Sequence, residues 1–117
     1  MTPKQLLSFR STLESLLDAA TRETFERRQS LEAEPSADAF DRVGLDIDRD
    51  LAVADLSRNS QLIRQVRAAL ARMEEGVFGT CQACGETIPI KRLKAVPCTP
   101  FCIRCQEAAD RGMANAA

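Results

Sequence analysis

The sequence has no histidine, no tryptophan and no tyrosine, and its aromatic residues are five phenylalanines. Without His there is no His-based acid–base pair and no His-containing triad. With so few aromatics, a globular core of ordinary size is hard to build. No P-loop, no G-x-G-x-x-G and no G-x-S-x-G occurs, so the usual phosphate cradles and nucleophile elbows are missing. An enzyme is not expected. No apolar run is long enough to span a bilayer, and the start of the chain lacks the charged and apolar regions of a leader. No membrane partner is expected. Neither sign of charge dominates: 16 Lys and Arg face 17 Asp and Glu, for a net −1. That balance lacks the basic footprint of a nucleic-acid binder, and direct sequence-specific DNA binding is not expected. The expected compartment is the cytoplasm, where thiols stay reduced and metal is favoured over disulfides.

What is present is helix-forming. Ala, Leu, Arg, Glu and Asp dominate 117 residues, a length that suits one small domain or one module with an appendage. Thr2-Pro3-Lys4-Gln5 reads as an N-cap, a proline at N1 and a capping-box Gln at N3. Leu6, Phe9, Leu13, Leu16 and Ala20 follow at alternating spacings of three and four, a heptad seam. Thr24, Phe25 and Leu31 extend it weakly. Residues 34–44 break the pattern with Pro35, Ser36, Asp38, Asp41 and Gly44, all turn or cap residues. A second helix is predicted from about Asp46 to Glu75, with a seam at Ala52, Leu56, Asn59, Ile63, Val66, Leu70 and Met73. Asn59 either fixes register in the seam or sits rotated outward. Two such helices joined by a short turn predict an antiparallel hairpin with arms of about 45 Å. Gly76 and Gly79 end the second helix and lead straight to Cys81.

The C-terminal third carries the strongest signal. Cys81-Gln-Ala-Cys84 and Cys102-Ile-Arg-Cys105 stand 17 residues apart, in the pattern C-x₂-C-x₁₇-C-x₂-C. Two matched C-x₂-C turns predict one tetrahedral four-thiolate Zn²⁺ site, with a redox disulfide pair as the competing reading. Gly85 permits the positive φ that a zinc knuckle needs. Four thiolates leave no open position on the metal, so the zinc is structural. Lys91, Arg92, Lys94 and Arg104 offset the residual charge of that site or contact an acidic partner. Cys98 is the odd thiol. Its readings are a packing residue, a replacement ligand four residues before Cys102, or an oxidation-sensitive thiol. At the turn, Asp38 and Asp41 flank Phe40. They serve the turn and the helix start, or form an acidic point at the end of a long lever.

These pieces together resemble a known family. Asp38-x-x-Asp41, Phe78-Gly79-Thr80-Cys81-Gln82-Ala83-Cys84-Gly85, Ile90-Lys91-Arg92-Leu93-Lys94-Ala95-Val96-Pro97 and Cys102-Ile103-Arg104-Cys105 follow the pattern of the DksA/TraR transcription factors without gaps from Asp38 to Cys105. The first 35 residues match in character, not in motif. The resemblance implies binding to RNA polymerase, with the zinc module at the rim of the secondary channel and the hairpin inside it. It implies that Asp38 and Asp41 are the effector residues that alter open-complex lifetime or initiation, often together with guanosine tetraphosphate in the stringent response. Arg58, Lys91 and Arg92 are candidate polymerase contacts. Three departures are visible. Val43 stands where the family tip usually has Ala. The chain begins at the first hairpin helix, whereas longer members carry an extra N-terminal helical segment. Basic residues of the nucleotide pocket are replaced by Gln65, Val96 and Gln106, so cooperation with guanosine tetraphosphate is not expected.

The expectation is an all-α protein: residues 1–75 form a coiled-coil hairpin with its tip at 34–44, and residues 76–117 form a four-cysteine zinc-finger module with a short terminal helix. It is expected to act as a monomer on RNA polymerase. Two other classes stay open from the residues alone, a thiol- or zinc-based redox sensor and a DNA-binding zinc module.

Overall fold

The computed structural model describes the backbone of residues 1–32 and 42–115, and the side chains of residues 1–30 and 47–112. Four helices follow one another: α1 (Pro3–Glu32), α2 (Arg42–Glu74), α3 (Ile90–Ala95) and α4 (Ile103–Asn115). The two long ones pack antiparallel, and the molecule is elongated, 58 × 36 × 21 Å.

The first helix starts as its capping box dictates. The Thr2 hydroxyl accepts from the Gln5 amide at 3.1 Å, and the Thr2 amide donates to Gln5 Oε1 at 2.9 Å. The second helix ends in a Schellman turn. Gly76 takes φ +77°, its N–H donates to Met73 O at 3.1 Å, and Val77 N–H reaches back to Arg72 O at 2.9 Å. Two ion pairs across the hairpin mark its register. Arg10 meets Glu74 at 3.0 Å near the base, and Arg27 meets Asp55 at 2.7 Å further out.

The second helix begins earlier than the sequence predicts, at Arg42 instead of about Asp46. Gly44, read as a turn residue, therefore lies inside it. A single Gly costs a helix only about 1 kcal/mol, which a helix of this length can absorb. The seam is also narrower than its heptad. Phe9, Leu13, Ala20 and Thr24 are buried on α1, but Leu6 is at the rim and Phe25 is 62% exposed. On α2, Val66 and Ala69 are buried, and Leu62, Leu70 and Met73 are half-buried around them. Asn59 is half-buried.

Hairpin and C-terminal segment share apolar packing. Phe9 joins Cys81, Ile88 and Leu93 in one cluster, with Met73 and Phe78 against it. The Phe9 and Phe78 rings lie 5.7 Å apart, tilted by 53°. Leu13, Val66 and Ala69 enclose Cys98 in a second cluster, and Met73 and Phe78 touch both. The base of the hairpin is thus cemented from two sides by residues that follow Gly76. Among the described residues, no helix is long and apolar enough to cross a membrane.

Candidate metal centre

The first cysteine knuckle is a short antiparallel turn. Thr80 and Thr87 form an isolated bridge, Cys81 N–H donates to Glu86 O at 2.8 Å, and Ile88 N–H donates to Gly79 O at 2.7 Å. Gly85 closes the turn with φ +77° and an N–H to Cys81 O bond of 2.9 Å. The positive φ expected at Gly85 is there, and so is one at Gly79, φ +85°. The second pair of cysteines opens α4. The two halves are joined by Gln82 N–H donating to Pro100 O at 2.8 Å.

These turns bring the four sulfurs together. The Sγ atoms of Cys81, Cys84, Cys102 and Cys105 all lie within 4.8 Å of one another, and Cys84 and Cys102 are 3.9 Å apart. A tetrahedral Zn²⁺ with bonds of about 2.3 Å sets its sulfurs about 3.8 Å apart, so the cluster fits that ion. Its protonation chemistry fits too. The Cys84 amide pointing at the Cys81 sulfur pulls that thiol down to about 6. The Cys102 side chain, hydrogen-bonded with Cys105, pushes the latter up to about 12. Cys81 is thus poised to give up its proton, while Cys105 keeps its own until a dication offsets the crowded negative charge. No disulfide joins any of the five cysteines.

Cys98 stands outside the quartet. It is 7% exposed, packed among Leu13, Val66 and Ala69, and its Sγ lies 3.8 Å from Gln65 Oε1. Burial raises its pKa, and a shielded, protonated thiol reacts slowly. Of its three readings, the packing residue is the one this geometry favours.

The basic residues split. Arg92 is half-buried: its Nε donates to Phe101 O at 3.0 Å and its Nη2 to Thr99 Oγ1 at 3.3 Å. It braces the loop that delivers Cys102. Arg72, which no sequence motif singles out, donates to Cys98 O at 3.4 Å and is partly desolvated, which lowers its pKa. Sequence patterns carry no sign of either brace, because each joins a side chain to a distant backbone carbonyl. Arg58 is exposed and paired with Asp55, and Lys91 is exposed. Asp38 and Asp41 lie outside the described residues, as does the Val43 side chain.

Residues 76–111 match the prokaryotic dksA/traR C4-type zinc finger. Over 113 residues, 95% of this chain, the sequence is 34% identical to the RNA polymerase-binding transcription factor DksA of Caulobacter vibrioides, and the match spans 80% of that protein. The chain belongs to the DksA/TraR family. Escherichia coli DksA, also described as an RNA polymerase-binding transcription factor, is 33% identical over 114 residues, 94% of this chain and 74% of its own length. Among solved structures, transcription factor DksA2 of Pseudomonas aeruginosa superposes with a TM-score of 0.76 at 30% identity, covering 97% of this chain and 88% of that one. The Chlamydia trachomatis L2 structure titled an RNA polymerase binding protein and transcriptional regulator shares the fold, with a TM-score of 0.63 at 20% identity over 97% of this chain and 95% of that one. The DksA/TraR zinc finger is of the C4 type, so the quartet is a structural site for one Zn²⁺. These family members are transcription factors, not enzymes.

Proposed function

We propose that this chain is an accessory regulator of RNA polymerase that acts through the secondary channel. The observation that carries this is the pairing of form and kinship. A hairpin of ~45 Å rises from a C4 zinc module, in a chain 34% identical to a polymerase-binding factor over 95% of its length. The zinc module and hairpin base dock at the channel rim, with Lys91 as an exposed cation for acidic polymerase surface and Arg92 bracing the module, while Arg58 is a second exposed cation further out on α2. Asp38 and Asp41 reach toward the active centre and alter open-complex stability or initiation through their charge.

Guanosine tetraphosphate contributes little through this protein. A polyphosphate needs Lys or Arg donors at fixed places, and the corresponding positions hold Gln65, Val96 and Gln106. Two details support that reading. Gln65 faces the Cys98 thiol, and Gln106 Nε2 donates to Asp110 Oδ1 at 3.0 Å, so the side chain at position 106 is engaged with a carboxylate within its own helix.

The test is competition. The zinc-loaded protein is titrated against a labelled secondary-channel factor bound to purified RNA polymerase. Displacement at one protein per polymerase is expected; polymerase binding without displacement would move the site off the channel.

A further inference from the structure

The two apolar clusters of the hairpin stop part-way along it. Among the described residues, none tipward of Leu17 on α1 or of Leu62 on α2 belongs to either cluster. Beyond that level the described seam residues are small or polar apart from Leu56. Ala20 and Thr24 are buried on α1, and Arg27 is half-buried; Ala52, Asp55, Leu56 and Asn59 are half-buried on α2. Such residues remove little apolar surface from water. Four other large apolar side chains of this stretch point away: Phe25 is 62% exposed, Leu51 61%, Ile47 57% and Val53 53%.

One seam residue opposes closure. Thr24 Oγ1 is buried with no hydrogen-bond partner. It loses water and gains nothing in return. One turn further out stands a polar contact that ties these outer arms together, Arg27 Nη1 to Asp55 Oδ2 at 2.7 Å. Arg27 is also held by Glu23, and Asp55 by Arg58, so each partner is pre-positioned on its own helix. A pair this exposed holds two helices only weakly.

We propose that the hairpin has a joint at the Thr24 layer: the base, up to Leu17 and Leu62, is rigid, and the outer arms beyond it open and close as a separate unit latched by Arg27 and Asp55. Local opening of this kind needs few buried apolar contacts and a polar clasp, and both are present. The joint lets the described outer arms, residues 21–30 and 47–60, change direction while the zinc module and base stay fixed. It is a property of the free protein and does not depend on what the protein binds.

Hydrogen exchange on the full-length, zinc-loaded protein tests it. Amides of residues 21–30 and 47–60 are expected to exchange at least ~100-fold faster than those of 9–17 and 62–73. Asp55→Asn should speed exchange in the outer arms several-fold and leave the base unchanged. Thr24→Val, which removes the stranded hydroxyl at nearly constant shape, should slow the outer arms alone. Uniform protection along the wild-type hairpin would overturn the proposal. So would an Asp55→Asn effect shared equally by the base, because the hairpin would then open as one unit. No change in the outer arms with Thr24→Val would remove the joint from this layer.

Discussion

At the scale of single residues, Cys98 shows how burial decides what a thiol does. It sits on the loop after α3, packed against both hairpin helices and outside the zinc quartet. Cys98→Ser should leave one Zn²⁺ per chain, by elemental analysis, yet cost about 1–3 kcal/mol in urea unfolding, because a buried hydroxyl replaces a soft thiol. Loss of zinc from this variant would make Cys98 a ligand. Its titration adds a second check. Burial raises the Cys98 pKa above its ordinary 9.0, so the folded state favours the thiol. The stability tied to that proton is intact below pH 9 and is lost as pH climbs through the raised value. Cys98→Ala should therefore show a flatter stability profile above pH 9 than the wild type, measured by unfolding at matched zinc. The sequence shows a fifth cysteine and its three readings. It does not show which long-range segment folds over position 98, and that contact decides among them.

At the scale of elements, the turns that use positive φ are the sensitive points. Gly76 has open space where a Cβ would go, so Gly76→Ala pays only the left-handed strain, about 1 kcal/mol. At Gly79 a Cβ would lie 3.0 Å from Met1 Cε and 3.7 Å from Leu93 Cδ1, inside the knuckle. Gly79→Ala should cost more than Gly76→Ala in the same unfolding assay; equal costs would mean that the Met1 side chain yields freely. Gly76 was legible as the end of α2, and the capping box at Thr2 and Gln5 as the start of α1; Gly79, also read as a helix end, belongs to the cysteine knuckle instead. The helix faces were legible only in part. A strict seven-residue repeat drifts about 20° per heptad against a straight helix. That drift separates the rim position of Leu6 and the exposed Phe25 from the buried Leu13, and it brings Ala69 and Leu62 onto the α2 face beside the heptad seam. Thr24, not Phe25, continues the α1 face. The start of α2 at Arg42 was hidden because Gly44 carries a turn signal that the longer helix overrides.

At the scale of the whole molecule, zinc and hairpin form one structure with two supports. The quartet was fully legible, since C-x₂-C pairs are local and their spacing is chemical. The coupling was not, since it runs through Phe9, Phe78 and Cys98, which only the fold brings together. Removing the metal, by chelator or by Cys81→Ser, withdraws on the order of 10 kcal/mol from the C-terminal third. The base cluster then loses one wall, while the α1–α2 seam keeps its own contacts. Far-UV circular dichroism should show partial loss of helix, and amide exchange should rise first at 62–73 near the base. A metal-free protein with a native C-terminal third would sink the assignment of zinc as structural.

The proposed division of labour gives the last expectation. If docking rests on the base and effect rests on the tip, the two are separable by charge alone. Asp38→Asn and Asp41→Asn each remove one negative charge at nearly constant shape, far from the zinc quartet in sequence. Polymerase affinity, measured by competition, should stay within about threefold of wild type, because a rim contact of exposed charges is worth little and these lie elsewhere. Folding stability should move by less than ~1 kcal/mol, the scale of a lost cap. Open-complex half-life at saturating protein should lose most or all of its response, because a charge placed near the catalytic centre acts through electrostatics that an amide cannot supply. Variants that bind and act like the wild type would place the effect on another part of the hairpin. Variants that no longer bind would make the tip a docking element, and the base alone would then be too weak an anchor for the reading given above.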